Sequence, residues 1–111
     1  MNKELREIRD NKLNEMIETV HNFEMLERDA IKAGKKTIVN INDKDVVIYD
    51  AAIKFYRERN TYIKDSLDYL FVNCKINKPE IIRRLNYMMK NELNVDIWLK
   101  LSTLKVAVKN I

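Results

Sequence analysis

One glycine and one proline in 111 residues constrain this chain more than any other feature. Tight turns, phosphate-cradling loops and strand-rich sandwiches all consume glycine, because a residue without Cβ enters the left-handed backbone region at no steric cost. With Gly34 and Pro79 as its only such breakers, the chain reads as mainly α, in the α+β sense. The expected plan is a long N-terminal helix, one β-hairpin and a bundle of two to three further helices. The length suits a single domain, residues 1–111, able to bury a core without disulfides or a metal.

From residue 2 to 33 nothing interrupts a helix, and Leu13, Met16, Val20, Phe23 and Ala30 recur at steps of three and four. Gly34 stands where a left-handed C′ residue belongs, with Lys32, Lys35 and Lys36 placed to complement the carbonyl end. A helix of that length spans about 45 Å, longer than a compact domain of this size. Either its charged first turns, Asn2 to Lys12, project and fray or the helix lies along a second subunit, and Leu13, Met16, Val20 and Phe23 are the candidate homodimer interface.

Residues 37–49 switch to period two, and Asn42 to Asp45 fit a four-residue hairpin loop pairing Ile41 with Val46 and Val39 with Ile48. Those four aliphatic side chains share one face, with Ile38, Asn40, Val47 and Tyr49 on the other. A lone hairpin is marginal in water, so the aliphatic face is expected to rest on helices or on a partner. Asp50 is an N-cap for a helix over 51–74, whose stripe is Ile53, Tyr56, Ile63, Leu67, Leu70 and Cys74. Pro79 marks the first turn of a helix over 79–90. Over 95–109 the residues Ile97, Leu101, Leu104 and Val108 read as helix, although "DIWLKLS" and "LKVAV" also alternate as strands do.

Composition removes most catalytic chemistry. His21 is the only histidine and Cys74 the only cysteine, so His-based metal sites, His-assisted nucleophiles, disulfides and multi-cysteine clusters all lack components. Asp43, Asp45 and Asp50 are accounted for by turn and cap roles. The reading is a non-enzymatic protein without cofactor, metal or catalytic residue. No apolar run suffices to span a bilayer and the first residues lack an apolar signal core, which points to a cytoplasmic protein with no membrane partner. Asparagine, lysine and isoleucine supply 13, 14 and 13 residues against 5 alanines, the codon bias of a low-G+C genome such as a phage, a mobile element or its bacterial host.

Net charge is +4, and the distribution is uneven: residues 75–111 carry 8 basic and 3 acidic side chains. A clustered positive excess favours a polyanion partner. Within it, "CKINKPEIIRRLNYMMK" resembles a degenerate helix-turn-helix over 70–90. Leu70 and Cys74 would close the first helix, Lys75-Ile76 would make the turn, and Ile81 and Leu85 would face inward. That resemblance implies a small regulatory protein reading double-stranded DNA, with Asn77, Lys78, Arg83, Asn86 and Lys90 toward the groove and Lys75 and Arg84 on phosphates. It departs from the pattern at Lys75, where glycine is usual, at Phe71, where a small residue is usual, and at Arg84, close to a position usually buried; Ile82 falls on the outward side. The alternative is a protein-binding modulator or inhibitor that engages a host or phage protein such as a nucleic-acid enzyme. Its basis is mixed surface charge and surplus apolar residues on the hairpin and tail.

Overall fold

A computed structural model describes residues 1–34 and 36–111, with side chains described for all of these except 36–37 and 47–51. The order is α1 (Lys3–Ala33), β1 (Lys36–Ile41), β2 (Lys44–Tyr49), α2 (Asp50–Asp68), a π-helical turn (Tyr69–Asn73), α3 (Lys78–Asn91) and α4 (Val95–Lys109). The mainly α architecture with one hairpin is as the sequence implies. The tail is helical, and no described helix is long and apolar enough to cross a membrane.

Local chemistry explains the starts. Asn2, Asn77 and Asn94 each accept a backbone N–H of the following first turn, which satisfies donors that an open helix end leaves unpaired. The end of α1 differs from expectation. Gly34 is extended, at φ −114° and ψ 176°, and not left-handed. Glycine is needed for another reason: a Cβ there would press into the Ala30 carbonyl oxygen.

The hairpin turns in two residues, Asn42 and Asp43, both at positive φ (52° and 61°), as a type I′ turn demands. The register is therefore Val39↔Val46 and Ile41↔Lys44, so the expected four-residue loop and its pairing are corrected by two positions. Because the shift is even, Val39, Ile41 and Val46 still share a face. The faces expected for Val47, Ile48 and Tyr49 and the cap expected of Asp50 lie outside the described side chains. Ile38, Ile41 and Val46 stay exposed, so the hairpin is not folded back onto the helices.

Helices α1 and α2 run antiparallel, joined through Tyr62–Glu15, Phe23–Tyr62 and Arg59–Glu24 contacts. Helices α3 and α4 pack on one end of this pair. The core there is Leu13, Met16, Val20, Ile63, Leu67, Leu70, Ile76, Ile81, Leu85, Leu101, Leu104 and Val108. Between Val20 and Ile63 no described residue is buried, so the far end of α1, the hairpin and the start of α2 form a projecting arm, whereas the first turns expected to project are held to the bundle through buried Arg9 and the Asp10–Arg84 pair. The radius of gyration is accordingly 16.6 Å, against about 13 Å for a compact chain of this length. Ile53 and Tyr56, expected on the buried stripe of α2, are both exposed: they lie beyond the core, and Tyr56 borders a hollow beside α4.

Candidate functional site

The segment behind the helix-turn-helix expectation is well built. The helix expected to run unbroken to Cys74 instead widens into a π turn, closed by the Cys74 N–H donating to Tyr69 O at 3.1 Å. Ile76 N–H then reaches back to Leu70 O at 3.0 Å across Lys75, which holds φ 55°. This is a Schellman-type stop with lysine where glycine is usual, and both Leu70 and Ile76 sink into the core. Chain reversal at the expected place thus costs Lys75 a left-handed backbone. Phe71, despite its size, is half-buried against the core.

The seven residues expected on nucleic acid separate into two groups. Arg83, Asn86 and Lys90 are exposed and fall within about 60° of one another on α3. Lys75 is exposed ahead of them. Ile82 and Met89 turn inward and pack on the core, so the outward placement expected for Ile82 is corrected. Lys78 is half-buried and donates to the Ile111 carbonyl. Arg84 Nε sits 3.1 Å from Asp10 Oδ1, as an ion pair more than a directed hydrogen bond, and its guanidinium lies 5.0 Å from the Tyr87 ring centre. Asn77 is engaged as the cap, accepting from Glu80 N–H at 3.2 Å. Arg83 itself is 71% exposed but paired with Glu80 at 2.6 Å. Among the described residues, the free positive charge on this face therefore reduces to Lys75 and Lys90.

The expected dimer seam fares differently. Leu13, Met16 and Val20 are wholly buried in the chain's own core, where α2, α3 and α4 of the same molecule surround them. Only Phe23, half-buried beside Tyr62, lies beyond it. A partner cannot use the first three without opening the fold.

The surplus apolar residues expected on the tail gather on the outer side of α4. Ile97, Leu101, Leu104 and Val108 face the core, yet Val95, Leu99, Ser102 and Val106 repeat the same four-three-four spacing on the opposite side. Val95, Leu99 and Val106 are 70%, 53% and 54% exposed, and Trp98 and Leu93 beside them 39% and 97%. Two opposed stripes make every second residue apolar over short runs. That is why this helix imitates strand alternation.

A feature without sequence signal is the junction under α4. Glu24 on α1 lies 3.3 Å from Lys100 Nζ on α4 and 3.8 Å from Arg59 on α2. Both cations are largely buried, with side chains 8% and 18% exposed. One carboxylate therefore serves two cations, and Arg59 Nε has no acceptor among the described residues.

Hollows flank α4 among the described residues. One of about 480 Å³ lies between α1, the end of α3 and the start of α4, and carries Glu18, His21, Glu92 and Asp96 on an apolar floor. On the arm side, hollows of about 360 and 300 Å³ meet at Thr103. The first is walled by Tyr56, Asn60 and Lys64 of α2, the second by Met25 and Arg28 of α1. Among the described residues no group of three His, Cys, Asp or Glu side chains is arranged to hold a metal. Asp43 sits in the turn and Asp45 accepts from Asn40 at 3.3 Å.

Compared with known proteins, the chain has no significant match to any family model, curated protein or solved structure.

Proposed function

We propose that this chain is a protein-binding module, acting as a modulator of a partner protein, and that α4 is its docking element. The observation that carries this reading is the doubly apolar α4. A helix with apolar residues on both sides is normally covered on both, and here Val95, Leu99, Val106 and Trp98 face outward uncovered. Contiguous exposed apolar surface of this kind marks association sites, and tryptophan is enriched among the residues that dominate their energetics. The reading is tested by affinity capture from host lysate with wild type and with Leu99→Asp/Val106→Asp. A defined partner retained by the first and lost by the second, at matched thermal stability, is the expected result. Identical captured sets would remove α4 from the interface.

Binding of double-stranded DNA is the second reading, favoured by the Lys75 reversal and the shared face of Arg83, Asn86 and Lys90. It ranks second because Lys78 and Arg84 are engaged within the fold and Glu80 neutralises Arg83. Two or three phosphate contacts give a salt slope of only about −2 to −3. A gel-shift titration across salt decides it: no shift at low salt, or affinity unchanged in Lys75→Ala/Lys90→Ala, excludes the reading.

A further inference from the structure

We infer that the groove on the arm side of α4 takes an acidic amphipathic helix of the partner, an inference that rests on α4 as the docking element. The two hollows share Thr103 as a lining residue and follow one another along the same side of α4 as a two-part trough, the one walled by α2 and the other by α1. From Asp96 to Asn110 this trough follows α4 for about 21 Å, roughly four turns of a bound helix. Its apolar surface is Met25, Tyr56, Leu99 and Val106, all exposed, over a floor that includes Ile63 and Leu67. An apolar stripe at helical spacing on the partner matches such a trough.

The electrostatics select the sign of the partner. Arg28, Arg59, Lys64 and Lys100 line the trough, and among the described residues its side-chain carboxylates are Glu24 and Asp96. Glu24 is already shared between Arg59 and Lys100. Among the described residues neither Arg28 nor Lys64 has a carboxylate partner, and both are exposed on opposite walls. The field in the trough is positive over an apolar floor, which attracts glutamate and aspartate flanking a leucine-type stripe and repels a basic helix. The hollow at the start of α4, with Glu18, Glu92 and Asp96, has the reverse character. A second copy of this chain fits less well, because the outer side of α4 itself carries the exposed Lys109 and would bring a cation to a positive trough.

The test uses the full chain and a fluorescein-labelled synthetic helix of about 18 residues, with leucine at i, i+3, i+4 and i+7, glutamate at its flanks and alanine elsewhere. A second peptide replaces each glutamate with lysine. By fluorescence anisotropy at low salt, the acidic peptide is expected to bind at least tenfold more tightly than the basic one. Arg28→Glu/Lys64→Glu, both exposed positions, should abolish or invert that preference, whereas Lys90→Glu on α3 leaves it intact. Equal binding of the two peptides, or a preference untouched by Arg28→Glu/Lys64→Glu, overturns the acidic partner while leaving α4 as a docking face. No binding of the acidic peptide at 100 µM also overturns it. A concentration-dependent dimer in sedimentation, abolished by Leu99→Asp, would assign the trough to a second copy instead. Failure of the α4 reading itself looks different: no association of any kind then responds to Leu99→Asp.

Discussion

Replacing Glu24 with glutamine should loosen the junction of three helices with little change in shape. The carboxylate lies 3.3 Å from Lys100 Nζ and 3.8 Å from Arg59, and those cations expose 8% and 18% of their side chains. Removing one partner of a fully buried pair costs about 3–5 kcal/mol, because the other charge is left without compensation. Exposed pairs contribute about 0–1 kcal/mol. Glu24 is 35% exposed, so solvent screens part of the loss, while the stranded cations stand close to the buried limit. Lys100 retains its contact to the Asp96 carbonyl at 3.4 Å, which softens the loss further. An intermediate cost of about 2 kcal/mol follows, seen as a lower urea midpoint at unchanged slope. The double variant Glu24→Gln/Lys100→Met removes the stranded ammonium along with the carboxylate. It should therefore fall short of the sum of the single effects by about 1 kcal/mol or more. A cost below about 0.5 kcal/mol for Glu24→Gln, or strict additivity in the cycle, would refute the claim that this carboxylate holds α1, α2 and α4 together.

Other consequences are as direct. Lys75→Gly should stabilise the fold by up to about 1 kcal/mol, since it relieves a left-handed lysine at φ 55°, less the extra entropy glycine gives the unfolded chain; a lower urea midpoint would contradict the assignment. Gly34→Ala should destabilise although its φ suits any residue, because the added Cβ meets the Ala30 carbonyl oxygen; unchanged thermal stability would show that the backbone yields there. The Lys12 ammonium and the Tyr62 hydroxyl, both hydrogen-bonded to the Glu15 carboxylate, hold it below the usual carboxylate range. A depressed folded value makes its contribution complete above the ordinary glutamate range and lost as pH falls through the folded value. Glu15→Gln should thus narrow the stability gap between neutral and acid pH in thermal melts, and an identical pH profile would count against it.

Much of the fold was legible because its determinants are local. The scarcity of glycine and proline, the period-two run before Asp50 and Pro79 in a first turn each act within a few residues. Even the four-residue loop error was a local one: Asn42 and Asp43 tolerate positive φ, which let the shorter turn win and moved the pairing without exchanging faces. The tail was ambiguous for a physical reason, since two apolar stripes on opposite sides of one helix erase the contrast that periodicity measures.

The candidate sites were less legible. The spacing of Arg83, Asn86 and Lys90 correctly placed them together on an exposed side, yet Lys78 and Arg84 carry the same charge and are held by Ile111 and Asp10 from distant parts of the chain. Leu13, Met16 and Val20 form a stripe that a partner or the chain itself could cover, and only the return of α2, α3 and α4 decided for the chain. By itself, then, the sequence determined the mainly α plan, the place of the hairpin and which residues share a face within an element, because backbone and neighbour interactions set these. The tertiary structure alone decided which faces are spent on the core and which remain open, as with the outer side of α4 and the trough beside it. Burial and charge pairing are properties of residues brought together from distant positions, and no local pattern encodes them.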